Sequence, residues 1–428
     1  MIYVVRAGDT LSGVAGSLGL SPELLALQNG LEHPERLVVG QALTALTPDV
    51  VHTVAAGDSL NAIALAYGTT LGQLYRNNPW LAGLSNISPG EKVIISYTET
   101  PRQELVINGY AYPFAEISLL RQELPYLSAV LPFTYGFTVT GELVPIDEDE
   151  ILRAAEIIGT QTIMVVSPMN TAGQFSSELI GRLVNDPRLR RRLIEEIRLT
   201  VLDKGYAGAD LDFEYVRRED ADAYVDFVGE LAARLHEFGR ILSLDLAPKY
   251  SAEQRGLLYE GHDYQALGAA ADLATLMTYE WGYTYGPPLA VAPIYEVQRV
   301  IAYGLSEIPG DKLLLGIANY GYDWSLPYEE GSAARSLSNP QAYELAWRYG
   351  AEIVYDETAQ APTFYYRTEE GTVHQVWFED ARSLQAKLEL AAASGLRGVN
   401  FWTVNRPFPS GFMLMGSQFR PAPLPAAP

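Results

Sequence analysis

The chain has 428 residues, 48% of them apolar, and a formal net charge of -22 from 30 basic and 52 acidic side chains. That length and apolar share suit a globular protein with a sizeable core and room for more than one domain, and the acidic balance argues against nucleic acid as the main partner. Cysteine is absent, which excludes disulfides, thiolate metal sites and cysteine nucleophiles, and His33, His52, His236, His262 and His374 show no paired ligand spacing, so neither a metal site nor a cofactor is expected.

The amino terminus, Met1 to Asp9, lacks the basic start and apolar core of a signal peptide, and no segment is long and apolar enough to span a bilayer. Classical secretion and membrane insertion are therefore not expected. A repeat follows. Ala7-Gly8-Asp9-Thr10-Leu11 returns 49 positions later as Ala56-Gly57-Asp58-Ser59-Leu60, and Gln28-Asn29 matches Asn77-Asn78 at the same offset. Each copy reads as a short strand, a Gly-Asp turn, a helix capped by Thr10 or Ser59, a second helix from Ser21 or Thr70, and a closing strand. The predicted unit is βααβ, over 1–48 and 50–97, and Thr98 to Gln103 reads as a short polar linker broken by Pro101.

From Glu104 onward apolar strand-like runs alternate with helical patterns. Predicted strands are Leu105 to Tyr110, Ala129 to Tyr135, Thr162 to Ser167, Ala209 to Glu214, Ile241 to Leu246, Leu273 to Tyr279, Leu313 to Asn319 and Gly398 to Thr403. Predicted helices between them include Asp149 to Ile158, Asp186 to Leu202, Ala221 to Phe238, Pro293 to Tyr303 and Ala381 to Ala393. That alternation predicts an α/β fold, a (β/α)8 TIM barrel over 104–428. The connection around 323–378 is too long for a helix alone and predicts a small α+β insertion between the last two strands, forming one wall of a cleft.

Within the fourth predicted strand, Gly208-Ala209-Asp210-Leu211-Asp212-Phe213-Glu214 sets three carboxylates at alternate positions. In an extended strand they share one face, where like charge and burial push at least one pKa upward. The alternative is an exposed strand with solvated acids. A parallel barrel favours chemistry instead, because its active site gathers at the carboxyl ends of the strands.

These motifs resemble known families. The two repeats resemble LysM modules, which bind N-acetylglucosamine-containing glycans of peptidoglycan and chitin. The barrel resembles glycoside hydrolase family 18, whose Asp-x-x-Asp-x-Asp-x-Glu signature here begins with Ala207 in place of the first Asp, so an outer carboxylate is missing from the expected network. Met277-Thr278-Tyr279-Glu280-Trp281 stands where the family commonly has Met-x-Tyr-Asp, with Glu280 the departure. Trp402 falls where the family places the aromatic floor of the cleaving subsite.

The resemblance implies retaining, substrate-assisted hydrolysis. Glu214 would be the general acid and later base, Asp212 would orient the substrate's acetamido group, and Tyr279 would hydrogen-bond its oxygen. Asp210, Met277 and Glu280 would support them, and Trp402 and Trp281 would bind substrate. Paired LysM modules ahead of such a barrel look like the spore cortex-lytic N-acetylglucosaminidases of spore-forming bacteria. That implies cleavage of β-1,4 bonds after N-acetylglucosamine by an enzyme of the spore, at the coat and cortex boundary, or associated with the cell wall. The alternatives are a chitinase or chito-oligosaccharide hydrolase, and a non-catalytic glycan-binding coat protein. The modular reading also predicts that removing 1–97 weakens retention on insoluble glycan but spares cleavage of short oligomers.

Overall fold

The structure is a computed structural model that describes residues 1–83, 87–101, 103–169 and 173–428. Both amino-terminal units fold as βααβ. In the first, Ile2–Val4 pairs antiparallel with Ala42–Thr44 around helices Leu11–Ser17 and Pro22–Asn29. In the second, Pro48–Thr53 pairs with Lys92–Tyr97 around Leu60–Ala66 and Leu71–Asn77.

The repeated residues have local causes. Asp9 accepts hydrogen bonds from the Arg6 amide and the Tyr3 hydroxyl, both at 2.8 Å, and Asp58 accepts from the Ala55 amide at 2.7 Å. Each acid thus ties the turn back to the strand before it. Asn29 and Asn78 do the complementary job at the other end. The Asn29 side chain takes the Thr44 amide at 2.7 Å and returns its own N–H to the Thr44 carbonyl, and Asn78 does the same with Ile94.

The barrel comprises β1 (Gln103–Ala111), β2 (Ala129–Pro132), β3 (Gln161–Val166), β4 (Gly208–Leu211), β5 (Ile241–Leu246), β6 (Leu273–Leu276), β7 (Leu313–Ala318) and β8 (Gly398–Trp402). Each pairs in parallel with the next, and β8 returns to β1 to close the cylinder. Strands covered on both faces are mostly apolar, with a few polar side chains facing inward. Leu242, Leu244 and Leu246 of β5 pack outward against the helices, while Ile241, Ser243 and Asp245 alternate inward. The predicted barrel is thus observed.

The long connection folds as a five-stranded antiparallel sheet, in the order 335–337, 321–326, 373–377, 361–367 and 354–356, with helix Asn339–Arg348 packed on it. Several elements had no named counterpart in the sequence reading, among them helices Ile117–Glu123, Ser177–Asn185, Tyr264–Ala270 and Pro409–Gln418 and a last short strand, Phe419–Pro421, that adds to the outside of β1.

The amino-terminal units are docked on the barrel rather than strung ahead of it. Leu46, Ile94 and Tyr97 belong to the same buried apolar cluster as barrel residues Leu127, Phe412 and Met413. The Thr44 hydroxyl donates to the Ser410 carbonyl at 2.8 Å, and the Tyr126 hydroxyl to the Arg76 carbonyl at 2.6 Å. At Gly40 the chains touch backbone to backbone. The Ile353 amide donates to the Val39 carbonyl at 2.9 Å, and a Cβ on Gly40 would lie 1.9 Å from the Ile353 carbonyl oxygen. The sequence showed two repeats and a polar linker, but an interface formed by residues hundreds of positions apart leaves no local pattern.

Candidate active site

The row of acids starts in β4 and runs past its end. The regular strand stops at Leu211, yet the Asp212 amide still donates to the Val166 carbonyl at 3.1 Å, so the alternation carries into the rim. Asp210 and Asp212 are buried, Glu214 is half-buried, and Leu211 and Phe213 pack into the outer core. Immediately beyond Glu214, Tyr215 takes a positive φ of 59°. Glu280, directly after Tyr279, does so at 69°. Left-handed backbone at non-glycine residues costs free energy and tends to collect at functional sites. Here it falls beside two of the residues that the sequence singled out.

A third buried acid joins Asp210, and the sequence reading missed it. The Tyr110 hydroxyl of β1 lies 2.9 Å from Asp210 Oδ2 and 2.6 Å from Asp245 Oδ2 of β5. A phenol has one proton to donate. Two carboxylates within hydrogen-bond reach of it therefore require that one carry a proton and donate it back to the phenol oxygen. Burial raises the pKa of both acids, and for Asp245 the charges of Asp210 and Asp212 raise it further. The available signal was the polar alternation of Ser243 and Asp245 in an otherwise leucine-rich strand. Ala207 does not leave a gap in this network. It precedes β4, roughly 10 Å along the chain from Asp210, and packs against the inner apolar core. A neighbouring strand thus brings to Asp210 an acid that the linear motif does not contain.

Asp212 accepts from the Ser167 hydroxyl at 3.3 Å. Burial and then the charges of Glu214 and Asp210 hold its pKa well above the usual carboxylate range. Glu214 is pushed up to about 7, first by burial and then by the charge of Glu280. The like charge that matters most to Glu214 therefore comes from the loop after β6, not from its own row. Glu280 is held in place by the Tyr320 hydroxyl and by the Tyr322 hydroxyl at 3.0 Å, both from the start of the insertion. Burial raises its pKa, and the two tyrosines and Arg406 pull the other way.

Tyr279 shares this cavity. Burial raises its pKa well above that of a free phenol, and the charges of Asp245, Asp212, Glu214 and Glu280 add to the effect. Its ring needs the glycine opposite, since a Cβ on Gly316 of β7 would stand 2.8 Å from it. Met277 is buried two residues earlier. Trp402 lies at the end of β8, edge-on to Tyr110, Phe133 and Tyr112 at centroid separations of 5.3, 4.7 and 5.7 Å, and is only partly covered. Trp281 is only partly covered, and its indole N–H donates to the Tyr250 hydroxyl at 2.8 Å.

His262 braces the rim from behind. Its Nδ1 accepts the Ala247 amide at 3.0 Å, which leaves the proton on Nε2 to donate to the Phe213 carbonyl at 3.1 Å. Burial lowers its pKa to about 4, so it stays neutral near pH 7 while tying the ends of β4 and β5 together.

The electrostatics make a pH prediction. A Glu214 pKa near 7 keeps the carboxyl protonated below that pH, and activity that needs this proton falls as pH rises through it. Glu280→Gln removes a charge that opposes ionisation of Glu214. Its pKa should fall, and the alkaline limb of the kcat/KM profile should move to lower pH. An unmoved limb would separate Glu280 from the acid.

Comparison with known proteins agrees with this geometry. The model of glycosyl hydrolases family 18 matches residues 169–406, and the LysM domain model matches 3–45 and 52–96. Over 98% of both chains, the protein is 38% identical to a cortical fragment-lytic enzyme of Bacillus subtilis and 35% identical to one of Bacillus anthracis. Crystal structures of the spore cortex-lytic enzyme SleL from Bacillus megaterium and Bacillus cereus superpose with TM-scores of 0.83 and 0.82, at 32% and 34% identity, again over 98% of both chains. The chain belongs to glycosyl hydrolases family 18 and carries two LysM domains ahead of its catalytic barrel.

Proposed function

We propose that this glycosidase hydrolyses spore-cortex peptidoglycan at the β-1,4 bond after N-acetylglucosamine, with retention of configuration and with the substrate's own acetamido group as nucleophile. The observation that carries the reading is the division of pKa along the row: a half-buried Glu214 near 7 at the rim, above deeper acids braced by Tyr110 and Ser167. The full-length likeness to cortical fragment-lytic enzymes supports cortex as the substrate.

Each residue then has a task. Glu214 donates its proton to the glycosidic oxygen as the bond to the anomeric carbon breaks, and the acetamido carbonyl oxygen closes on that carbon from the opposite face. Asp212 orients the acetamido N–H, and the Tyr279 hydroxyl donates to the acetamido oxygen. Glu214, now ionised, takes a proton from the incoming water, which attacks the anomeric carbon and reopens the ring. Asp210, with Asp245 and Tyr110, supports the charge beneath. Trp402 floors the cleaved sugar. Glu280 keeps Glu214 protonated, and Met277 packs behind Tyr279. The LysM domains hold the N-acetylated glycan, which places the enzyme on the spore or cell wall.

Mass spectrometry of products from defined cortex fragments should find N-acetylglucosamine at the new reducing end. Proton NMR during the reaction should show the β-anomer first. Muramic acid at the new end, or cleavage of chitin oligomers in preference to cortex fragments, would sink the substrate assignment.

A further inference from the structure

A groove of about 1180 Å³ separates the first LysM domain from the barrel. That exceeds the roughly 300–1,000 Å³ usual for small-ligand sites. One wall is the surface of the first LysM domain from Asp9 to Ser12 and around Leu27. The other wall belongs to the barrel. It consists of the helix after β1, with Glu123, and the segment after β8, with Asn405 and Phe412, and Trp80 of the second LysM domain closes one side.

Two groups in the barrel wall are unsatisfied among the described residues. Glu123 is 3% exposed, and neither of its carboxylate oxygens has a hydrogen-bond partner of good geometry. The Phe408 amide pulls its pKa down a little, and burial outweighs that and raises it. The Asn405 side-chain N–H2 is also buried without a partner. A buried polar group left unpaired costs about 1–3 kcal/mol, and these atoms lie beneath the groove surface, out of reach of an occupant until the wall shifts. Six acids line the groove (Asp9, Glu23, Glu32, Glu35, Glu116 and Glu123) and no described basic residue does, which disfavours an anionic occupant.

A run of contacts links the groove wall to the floor of the catalytic cleft. Asn405 accepts the Tyr112 amide at 2.8 Å through its Oδ1, and Tyr112 meets Trp402 edge-on. Phe114 stacks on Tyr112 at 5.0 Å with 79% of its surface exposed, two residues before Glu116 in the groove wall. A bare, flat aromatic ledge between an aromatic floor and a polar groove is the surface on which sugar rings stack.

We propose that the cleft, the Tyr112–Phe114 ledge and the groove form one continuous site for a single N-acetylated glycan strand whose groove-bound stretch is uncharged, so that the first LysM domain and the barrel grip the same chain the enzyme cuts. The proposal rests on the glycosidase reading. It makes the LysM domain part of the substrate site and not a separate tether, and it favours attack within a strand over trimming from an end.

The test measures kcat/KM of the full-length enzyme on uncharged N-acetylated oligomers, from the shortest one cleaved to ones long enough to reach the groove. The ratio of long to short should exceed unity by on the order of tenfold. Leu27→Ala, at a half-exposed LysM position, and Phe114→Ala should each collapse that ratio toward one. A structural defect would lower both substrates together and leave the ratio alone. A ratio that keeps its wild-type value in both variants overturns the proposal. Calorimetry with Glu214→Gln separates the two readings: long-strand binding that Leu27→Ala weakens, in an enzyme whose wild type never cleaves the strand, would support the groove and sink the glycosidase.

Discussion

Glu214→Gln is expected to lower kcat by roughly 10²–10⁴-fold while leaving the affinity for glycan nearly unchanged. Glutamine keeps the size and hydrogen-bonding reach of the side chain, so the rim retains its shape. What it lacks is a proton that can move. The leaving sugar oxygen is a poor leaving group unless protonated as the bond breaks, and no other described carboxyl combines a pKa near 7 with a place at the rim. Glu280 is the nearest rival, but its carboxylate is taken up by Tyr320 and Tyr322. Single-turnover kinetics with binding measured by calorimetry would settle the matter. Undiminished turnover in the variant would end the acid assignment, and a loss confined to affinity would make Glu214 a binding residue.

Deletion of residues 1–97 is expected to destabilise the barrel, reversing the outcome that a beads-on-a-string reading predicts. Leu46, Ile94 and Tyr97 are 1%, 4% and 6% exposed, and their removal uncovers Phe412 and Met413, each at 2%. Burying an apolar side chain of this size contributes about 1.5–3 kcal/mol, so uncovering a few such contacts costs about 5–10 kcal/mol. That is comparable to the net stability of a typical domain. The truncated chain should express poorly or melt well below the full-length protein in differential scanning calorimetry. A truncated barrel that melts unchanged and turns over short oligomers at the full rate would restore the modular picture.

The parts that were legible in the sequence follow from local rules. Alternating apolar runs and helical patterns placed the eight barrel strands, since a strand buried on both faces has to be apolar. Caps and turns placed the LysM helices. Asp210, Asp212 and Glu214 were legible because three charges at alternate positions in a buried strand cost too much desolvation to persist without a use. Asp245, Tyr110 and His262 were not, because each acts on a partner from another strand and its own neighbourhood is ordinary core. The motif is linear, whereas the third buried acid arrives from β5.

The single phenol proton between Asp210 and Asp245 has a consequence for the reaction cycle. A proton passed from one acid to the other through Tyr110 changes which oxygen is negative without changing the total charge beneath the cleft. The barrel floor can therefore move a hydrogen between its two deepest acids at constant charge while Glu214 gives up its proton and regains it above.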